Sequence, residues 1–125
     1  MYKYKFTTVL GCIDGRIQLP VHDYVINKTK IPFADTINLP GIIKGISTRD
    51  HDSLVLIHKT LDISINIHGS KHIAVVGHYD CAGNPVSKEI QLVQIQESVE
   101  YVKSLYPELD VFGLWVNENW EVEEL

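Results

Sequence analysis

Short apolar runs alternate along the chain with longer segments whose apolar residues fall at helical spacing. The runs span residues 5–11, 72–77 and 111–116, and a shorter, more polar run spans residues 34–39. Runs of this length, rich in β-branched or aromatic residues, are typical of strands. Strands that alternate with helices form a mainly parallel sheet, so the pattern predicts an α/β fold.

The connection between the first two runs predicts a short helix over about 20–28. Pro20 suits its first turn, where the missing N–H of proline costs no hydrogen bond. Pro40-Gly41 end the second strand, and we expect a short helical piece within residues 42–52.

Residues 53–68 carry two conflicting patterns. The residues at helical spacing are Leu54, Ile57, His58, Leu61 and Ile65, whereas the isoleucines at 63, 65 and 67 alternate as in a strand. We favour a helix, because parallel strands need a crossover of a dozen or more residues between them. Asp52 or Ser53 is expected to cap this helix and Gly69 to close it.

The last long connection predicts a helix over about 87–106. Its apolar stripe consists of Leu92, Ile95, Val99, Val102 and Tyr106. Asn84 is the expected N-cap, with Pro85 at the first helical position, and Pro107 stops the helix. Beyond the fourth strand, alternating apolar residues at 120, 122 and 125 leave two readings open, an extra edge strand or packing on a partner chain.

These elements predict a single domain over residues 1–125 with three layers. The simplest arrangement is a four-stranded, mainly parallel sheet of order 2-1-3-4 with helices on both faces. In this order the winding direction reverses between strands 1 and 3, and open parallel sheets bind ligands at such a reversal. The sequence therefore predicts a site at the carboxyl ends of these two strands.

Composition excludes several classes of protein. The net charge is −5 and the lysines form no basic stripe, which argues against a nucleic-acid partner. No apolar run approaches the roughly 20 residues of a membrane span, so we expect no membrane insertion. Residues 1–5 have no signal-peptide pattern, which predicts a cytoplasmic location. In that compartment two cysteines favour metal binding or thiolate chemistry over a disulfide.

Soft metal ligands follow the two strands that meet at the reversal. Cys12 comes directly after the first strand, and His78 and Cys81 come directly after the third. Zinc accepts thiolate and imidazole ligands and prefers four positions, so these three side chains leave one position for water or for a carboxylate. Two buried structural thiols are the competing interpretation.

Asp14 and Arg16 stand two residues apart in the loop after the first strand. An arginine paired with the carboxylate keeps it ionised and fixes its orientation. Two thiolates cancel the charge of the metal, so a water there needs such help to lose its proton near neutral pH. Asp80 is expected to cap the turn that follows it.

The chain has no phosphatase loop, dinucleotide fingerprint or nucleophile elbow.

Two segments resemble the signature motifs of the β-class carbonic anhydrases, Cys-x-Asp-x-Arg followed by His-x-x-Cys. They are Gly11-Cys12-Ile13-Asp14-Gly15-Arg16-Ile17 and Val76-Gly77-His78-Tyr79-Asp80-Cys81, and the resemblance covers residues 5 to about 116. It implies a zinc lyase that hydrates carbon dioxide to bicarbonate by zinc-bound hydroxide, with one Zn²⁺ per chain and a homodimer or higher homo-oligomer.

The resemblance also implies a role for each site residue. Cys12, His78 and Cys81 would hold the zinc, and Asp14 and Arg16 would form the catalytic dyad. Asp14 is in addition a candidate for the fourth zinc position in a closed, inactive state. The substrate pocket is expected beside them, flanked by Ile13, Gly15, Leu39 and Gly41.

Two other functions stay open at this point. A hydrolase of carbonyl sulfide or carbon disulfide would use the same zinc site with another apolar linear substrate. A zinc-binding or bicarbonate-sensing protein without catalysis is favoured by residues 38–41, which replace the arginine-bearing loop of the family.

Overall fold

A computed structural model describes residues 5–125 of the chain. In chain order its elements are β1 (Phe6–Gly11), α1 (Gly15–Thr29), β2 (Phe33–Asn38), α2 (Ile42–Ser47), α3 (His51–Asp62), a π-helical turn (Ile63–Ile67), β3 (His72–His78), α4 (Lys88–Leu105), β4 (Asp110–Val116) and β5 (Val122–Glu124). Within residues 5–125 no helix is both long and apolar enough to span a membrane. The single-domain prediction also covers residues 1–4, which lie outside the described residues, and it stays a prediction.

The sheet has the order β2-β1-β3-β4-β5. Strands β1 to β4 are parallel, and β5 pairs antiparallel with β4 at the edge. The α/β class and the order 2-1-3-4 are therefore confirmed. The alternating tail forms an edge strand, which confirms the first of the two readings that the sequence left open.

Alternate side chains of the strands enter two cores on opposite faces of the sheet. Leu10 and Val75 pack with helices α2, α3 and α4, whereas Val9 and Val76 pack with α1. Burial on both faces explains why these strands read as continuous apolar runs. A fully buried leucine or isoleucine contributes about 1.5–3 kcal/mol, so the cores hold the ends of β1 and β3 firmly in place.

Helix α1 begins at Gly15 instead of near residue 20, because Asp14 supplies an earlier start signal. The Asp14 carboxylate accepts a hydrogen bond from the backbone N–H of Arg16 at 2.9 Å and caps the helix. Pro20 therefore lies inside the helix, where it lacks the N–H for the carbonyl four residues earlier. The predicted position of Pro20 in the first turn is wrong.

Helix α3 is capped by Asp50, one turn before the predicted helix start. The Asp50 carboxylate accepts from the backbone N–H of Ser53 at 3.1 Å. The π-helical turn replaces the strand-like alternation of isoleucines and points Ser64 inward, where it is 2% exposed. Gly69 follows at a φ of +74°, a left-handed conformation that suits glycine and confirms the predicted end.

Helix α4 is capped by Ser87 and not by Asn84. The Ser87 hydroxyl accepts from the backbone N–H of Ile90, whereas Asn84 is 1% exposed and donates to Gln94 at 2.6 Å. Because Asn84 is buried and bonded to Gln94, its side chain does not cap the helix. The predicted stripe is confirmed, since its five residues are buried in or packed against the core under α2, α3 and α4.

Candidate metal centre

The two cysteines and His78 come together where β1 and β3 end. These strands are parallel neighbours, so their carboxyl ends meet at one edge of the sheet. Cys12 follows β1 directly, His78 is the last residue of β3, and Cys81 lies in the turn after it. All three side chains are buried. The sheet order thus brings together residues that lie far apart in the sequence.

The three side chains form a compact cluster. Their ligand atoms all lie within 4.8 Å of one another, and the two sulfurs are 3.8 Å apart. Two thiolates on a tetrahedral zinc, each at about 2.3 Å, would be separated by about 3.8 Å. Within residues 5–125 this is the one group of three or more such side chains, and Asp14 is not part of it. The donor atoms and their spacing fit Zn²⁺.

The orientation of His78 is fixed from two sides. Its Nδ1 donates to the backbone carbonyl of Tyr79 at 2.7 Å, which leaves the proton-free Nε2 for a ligand. That Nε2 is buried and has no hydrogen-bond partner, as expected for a metal-ligating atom. The amide of Gln91 holds the His78 backbone, accepting from its N–H at 3.1 Å and donating to its carbonyl at 2.8 Å.

The cluster favours a thiolate on Cys12 before any metal binds. Burial raises the pKa of this thiol, but the adjacent His78 side chain and hydrogen bonds from backbone N–H groups outweigh burial and lower the pKa to about 7. Burial lowers the pKa of His78, but the adjacent Cys12 sulfur and the backbone carbonyl of Tyr79 outweigh burial, so the pKa is raised. Burial and the neighbouring Cys12 raise the pKa of Cys81. A metal would displace the remaining protons, because only deprotonated ligands bind.

Gly41 contacts the sulfur of Cys12 through its backbone. Its N–H points at this sulfur at 3.5 Å, and its φ is +55°. A Cβ at this position would come within 2.6 Å of the carbonyl oxygen of Gly83. Both the left-handed backbone and the close approach require glycine here. The loop after β2 thus supplies a backbone donor to the cluster.

Asp14 and Arg16 form a bidentate ion pair beside the cluster. Nε of Arg16 donates to Oδ1 of Asp14 at 3.0 Å, and Nη2 donates to Oδ2 at 2.7 Å. These hydrogen bonds lower the pKa of Asp14 to about 2, so the carboxylate is ionised across the neutral range. The spatial pairing that the sequence predicted is present, while the catalytic role of the pair stays a prediction.

Arg16 also reaches the loop that carries the other two candidate ligands. Its Nη1 donates to the Asp80 carboxylate at 3.2 Å, and its Nη2 donates to the Asp80 carbonyl at 3.1 Å. Asp80 has a φ of +58°. The sequence predicted a turn cap for this residue, but its carboxylate pairs with Arg16 and ties the two ligand-bearing loops together.

The four predicted pocket residues lie near Cys12 in different settings. Ile13 is 60% exposed, and a Cβ on Gly15 would meet no atom within 4 Å. Leu39 packs against the core under α2, α3 and α4, and Gly41 faces the sulfur of Cys12. Their contact with substrate stays a prediction.

A cavity of about 430 Å³ lies next to the cluster. Cys81 belongs to its lining, together with Tyr79, Asp80, Pro85, Val86, Ser87, Lys88, Gln91, Trp115 and Glu118. The volume is typical of small-molecule pockets. Sequence reasoning did not predict this lining, because Pro85, Val86 and Ser87 come from the loop before α4 and Trp115 comes from β4.

Comparison with known families identifies the chain. A family model described as "Putative carbonic anhydrase" matches residues 2–125. The chain belongs to this family. It is a divergent member similar to the β-carbonic anhydrases, which confirms the resemblance seen in the two motifs.

Solved structures of carbonic anhydrases share the fold of this family member. A carbonic anhydrase from Glaciozyma antarctica superposes with a TM-score of 0.63 at 19% identity, over 98% of this chain and 82% of that one. A tetrameric β-carbonic anhydrase from Sordaria macrospora gives 0.62 at 14% identity, over 97% and 81%. The β-carbonic anhydrase CafA of Aspergillus fumigatus gives 0.55 at 14%, over 98% and 76%. A search of curated proteins gives no match.

Proposed function

We propose that this chain is a zinc lyase that catalyses the reversible hydration of carbon dioxide to bicarbonate. The observation that carries the proposal is the buried cluster of Cys12, His78 and Cys81 with the Asp14–Arg16 pair beside it. Membership of the carbonic anhydrase family supports the reaction class. The proposed complement is one Zn²⁺ per chain.

Each residue has a distinct part in this proposal. Cys12, His78 and Cys81 would hold Zn²⁺, which as a Lewis acid would make a water molecule easier to deprotonate. Asp14 is ionised and accepts hydrogen bonds only, so it orients a hydroxyl group that donates to it. Arg16 fixes the plane of the Asp14 carboxylate through two parallel hydrogen bonds.

Stopped-flow measurement of carbon dioxide hydration by zinc-loaded protein, at pH 7 and at pH 9, tests the proposal. We expect turnover at both values, because Asp14 is bonded to Arg16 and its carboxylate stays ionised throughout. Protein stripped of metal by a chelator is the control. Turnover confined to pH 9 would indicate that Asp14 occupies the fourth metal position at the lower pH. No turnover at either pH would overturn the hydratase proposal.

Two alternatives are assayed on the same preparation. Release of hydrogen sulfide from carbonyl sulfide or carbon disulfide without carbon dioxide hydration would identify a hydrolase. Tight zinc binding with no turnover of any of these substrates would identify a zinc-binding or bicarbonate-sensing protein.

We also propose that the chain assembles into a homodimer or a higher homo-oligomer. The Sordaria macrospora enzyme of the same fold is described as tetrameric, and β2 is an edge strand whose Phe33 is 54% exposed. We expect size-exclusion chromatography with light scattering to give at least twice the chain mass of 14.2 kDa at micromolar concentration. A monomer would contradict the proposal.

The cytoplasmic location stays a prediction.

A further inference from the structure

The guanidinium of Arg16 is held by hydrogen bonds and by an aromatic ring. Its in-plane N–H groups donate to Asp14 and Asp80, as described above. The guanidinium also lies over the ring of Trp120, with its central carbon 4.4 Å from the ring centroid. This contact with the ring does not replace the hydrogen bonds, because a guanidinium is planar and donates only from its edge. The ring therefore adds a restraint that neither carboxylate supplies.

Trp120 occupies a backbone position that is costly for its residue type. It lies in the turn between β4 and β5 at a φ of +59°, in the left-handed region. Asn117 builds this turn: its carbonyl accepts from the N–H of Trp120 at 2.9 Å, and its Oδ1 accepts from the N–H of Glu121 at 3.1 Å. A left-handed residue other than glycine or asparagine costs about 1–2 kcal/mol. The turn itself would be more stable with glycine. The backbone therefore does not account for a tryptophan at position 120, and the contacts of its side chain must be considered.

We propose that Trp120 is a positioning residue for the Asp14–Arg16 pair. Its ring fixes the tilt of the Arg16 guanidinium and, through the two hydrogen bonds, the plane of the Asp14 carboxylate. A tryptophan face attracts a cation placed within about 6 Å of its centroid, and the 4.4 Å observed here lies well inside that limit. The β4–β5 hairpin thus supports the dyad from the far end of the chain.

A purely structural role for Trp120 predicts different behaviour. The residue also packs against the core under α1, and its ring meets that of Tyr79 edge-on at 6.4 Å. If packing were its only role, an apolar replacement would leave Arg16 as well ordered as before. The packing role and the positioning role therefore differ in how well ordered the Arg16 guanidinium is in the variant, and this can be measured without any assay of turnover.

The chain offers a clean probe, because Arg16 and Arg49 are its only arginines. Arginine labelled with ¹⁵N gives two Nε–Hε signals in NMR, and Arg49, which stacks on Tyr101, serves as an internal reference. The exchange rate of Hε with water reports how firmly Arg16 Nε is bonded to Asp14. We expect Trp120→Leu to raise this rate for Arg16 roughly fivefold and to leave Arg49 unchanged. Trp120→Phe should restore most of the protection.

Incorporation of 5-fluorotryptophan provides a second test that keeps the shape of the side chain. The chain has two tryptophans, so the analogue is incorporated into Trp115→Phe protein, where Trp120 alone carries it, and the reference is Trp115→Phe protein with ordinary tryptophan. Fluorine withdraws charge from the ring face, so the Arg16 exchange rate should rise modestly while the fold is unaffected. This measurement decides the matter even if Trp120→Leu fails to fold. If the Arg16 exchange rate in the fluorinated protein and in the folded Leu and Phe variants equals the rate in protein with an unaltered Trp120, the proposal is overturned.

The consequence for turnover rests on the proposed function. We expect Trp120→Leu to lower kcat for carbon dioxide hydration roughly fivefold with KM unchanged, and Leu56→Ala at an exposed position of α3 to change neither. If the unaltered protein lacks turnover, the proposed function is wrong. The positioning role is tested separately by the exchange rates and does not depend on that result.

Discussion

Replacement of Cys81 by serine should abolish zinc binding and turnover together. The hydroxyl of serine is nearly isosteric with the thiol but is a far weaker zinc ligand, and it leaves Cys12 and His78 as an incomplete set. Loss of a group that merely orients a ligand already costs 10–100-fold in affinity, so loss of the ligand itself should cost more than about 100-fold. Metal analysis after gel filtration, and competition with a chromophoric chelator, measure the loss.

Two further variants control this experiment. His78→Gln should lose zinc as Cys81→Ser does, because Nε2 of His78 is the only nitrogen in the cluster. His51→Gln changes an exposed histidine at the start of α3 and should retain both zinc and turnover. Full activity of Cys81→Ser without bound metal would rule out the zinc mechanism.

Asp14→Asn should remove turnover while the protein keeps its fold and its zinc. Asparagine caps helices as well as aspartate does, so the hydrogen bond from the Arg16 backbone N–H to this side chain survives. The charge is lost, and the amide cannot accept at both of its end atoms. A positioned acid–base group contributes about 10²–10⁴-fold to a rate, and we expect a loss in that range. Stopped-flow hydration at pH 7 and at pH 9 measures it.

The matched control is Asp23→Asn, which removes the same charge from the exposed face of α1. We expect its turnover to equal that of the unaltered protein. Equal losses in both variants would point to the net charge, and undiminished turnover of Asp14→Asn would remove Asp14 from the mechanism. Thermal unfolding of each variant shows whether a loss of fold contributes.

The strength of the Asp14–Arg16 pair also sets its dependence on pH. The pKa of Asp14 is lowered by Arg16, so the stability that this pairing adds is present above the ordinary carboxyl range. It is lost as the pH falls through the lowered value near 2. Between pH 7 and 9 the carboxylate does not titrate, so a change in turnover over that interval has another origin.

Local sequence signals competed at several helix ends, and packing chose among them. Asn84 and Ser87 both suit an N-cap, but the buried Asn84 is bonded to Gln94, so Ser87 caps α4. At α1 a proline in the chain suggested a later start than the Asp14 cap provides. Candidate caps a few residues apart have similar intrinsic strength, so tertiary contacts decide between them.

One polar residue could have been found from the sequence. Gln91 lies four residues before Ile95 on the buried face of α4, where an apolar side chain is expected. A polar group at such a position needs a partner, and it finds both backbone groups of His78. The pattern could flag the residue, but it could not name the partner.

The sequence by itself determined the strands, their simplest order, and the two motifs that carry Cys12, His78 and Cys81. These follow from short-range regularities, since runs of apolar residues and fixed motif spacings need no knowledge of distant contacts. Only the tertiary structure decided that Asp80 and Trp120 meet at Arg16. They come from the ends of β3 and β4, and three segments this far apart in the chain are brought together by sheet order and hairpin geometry. No pattern within any one of them encodes that meeting.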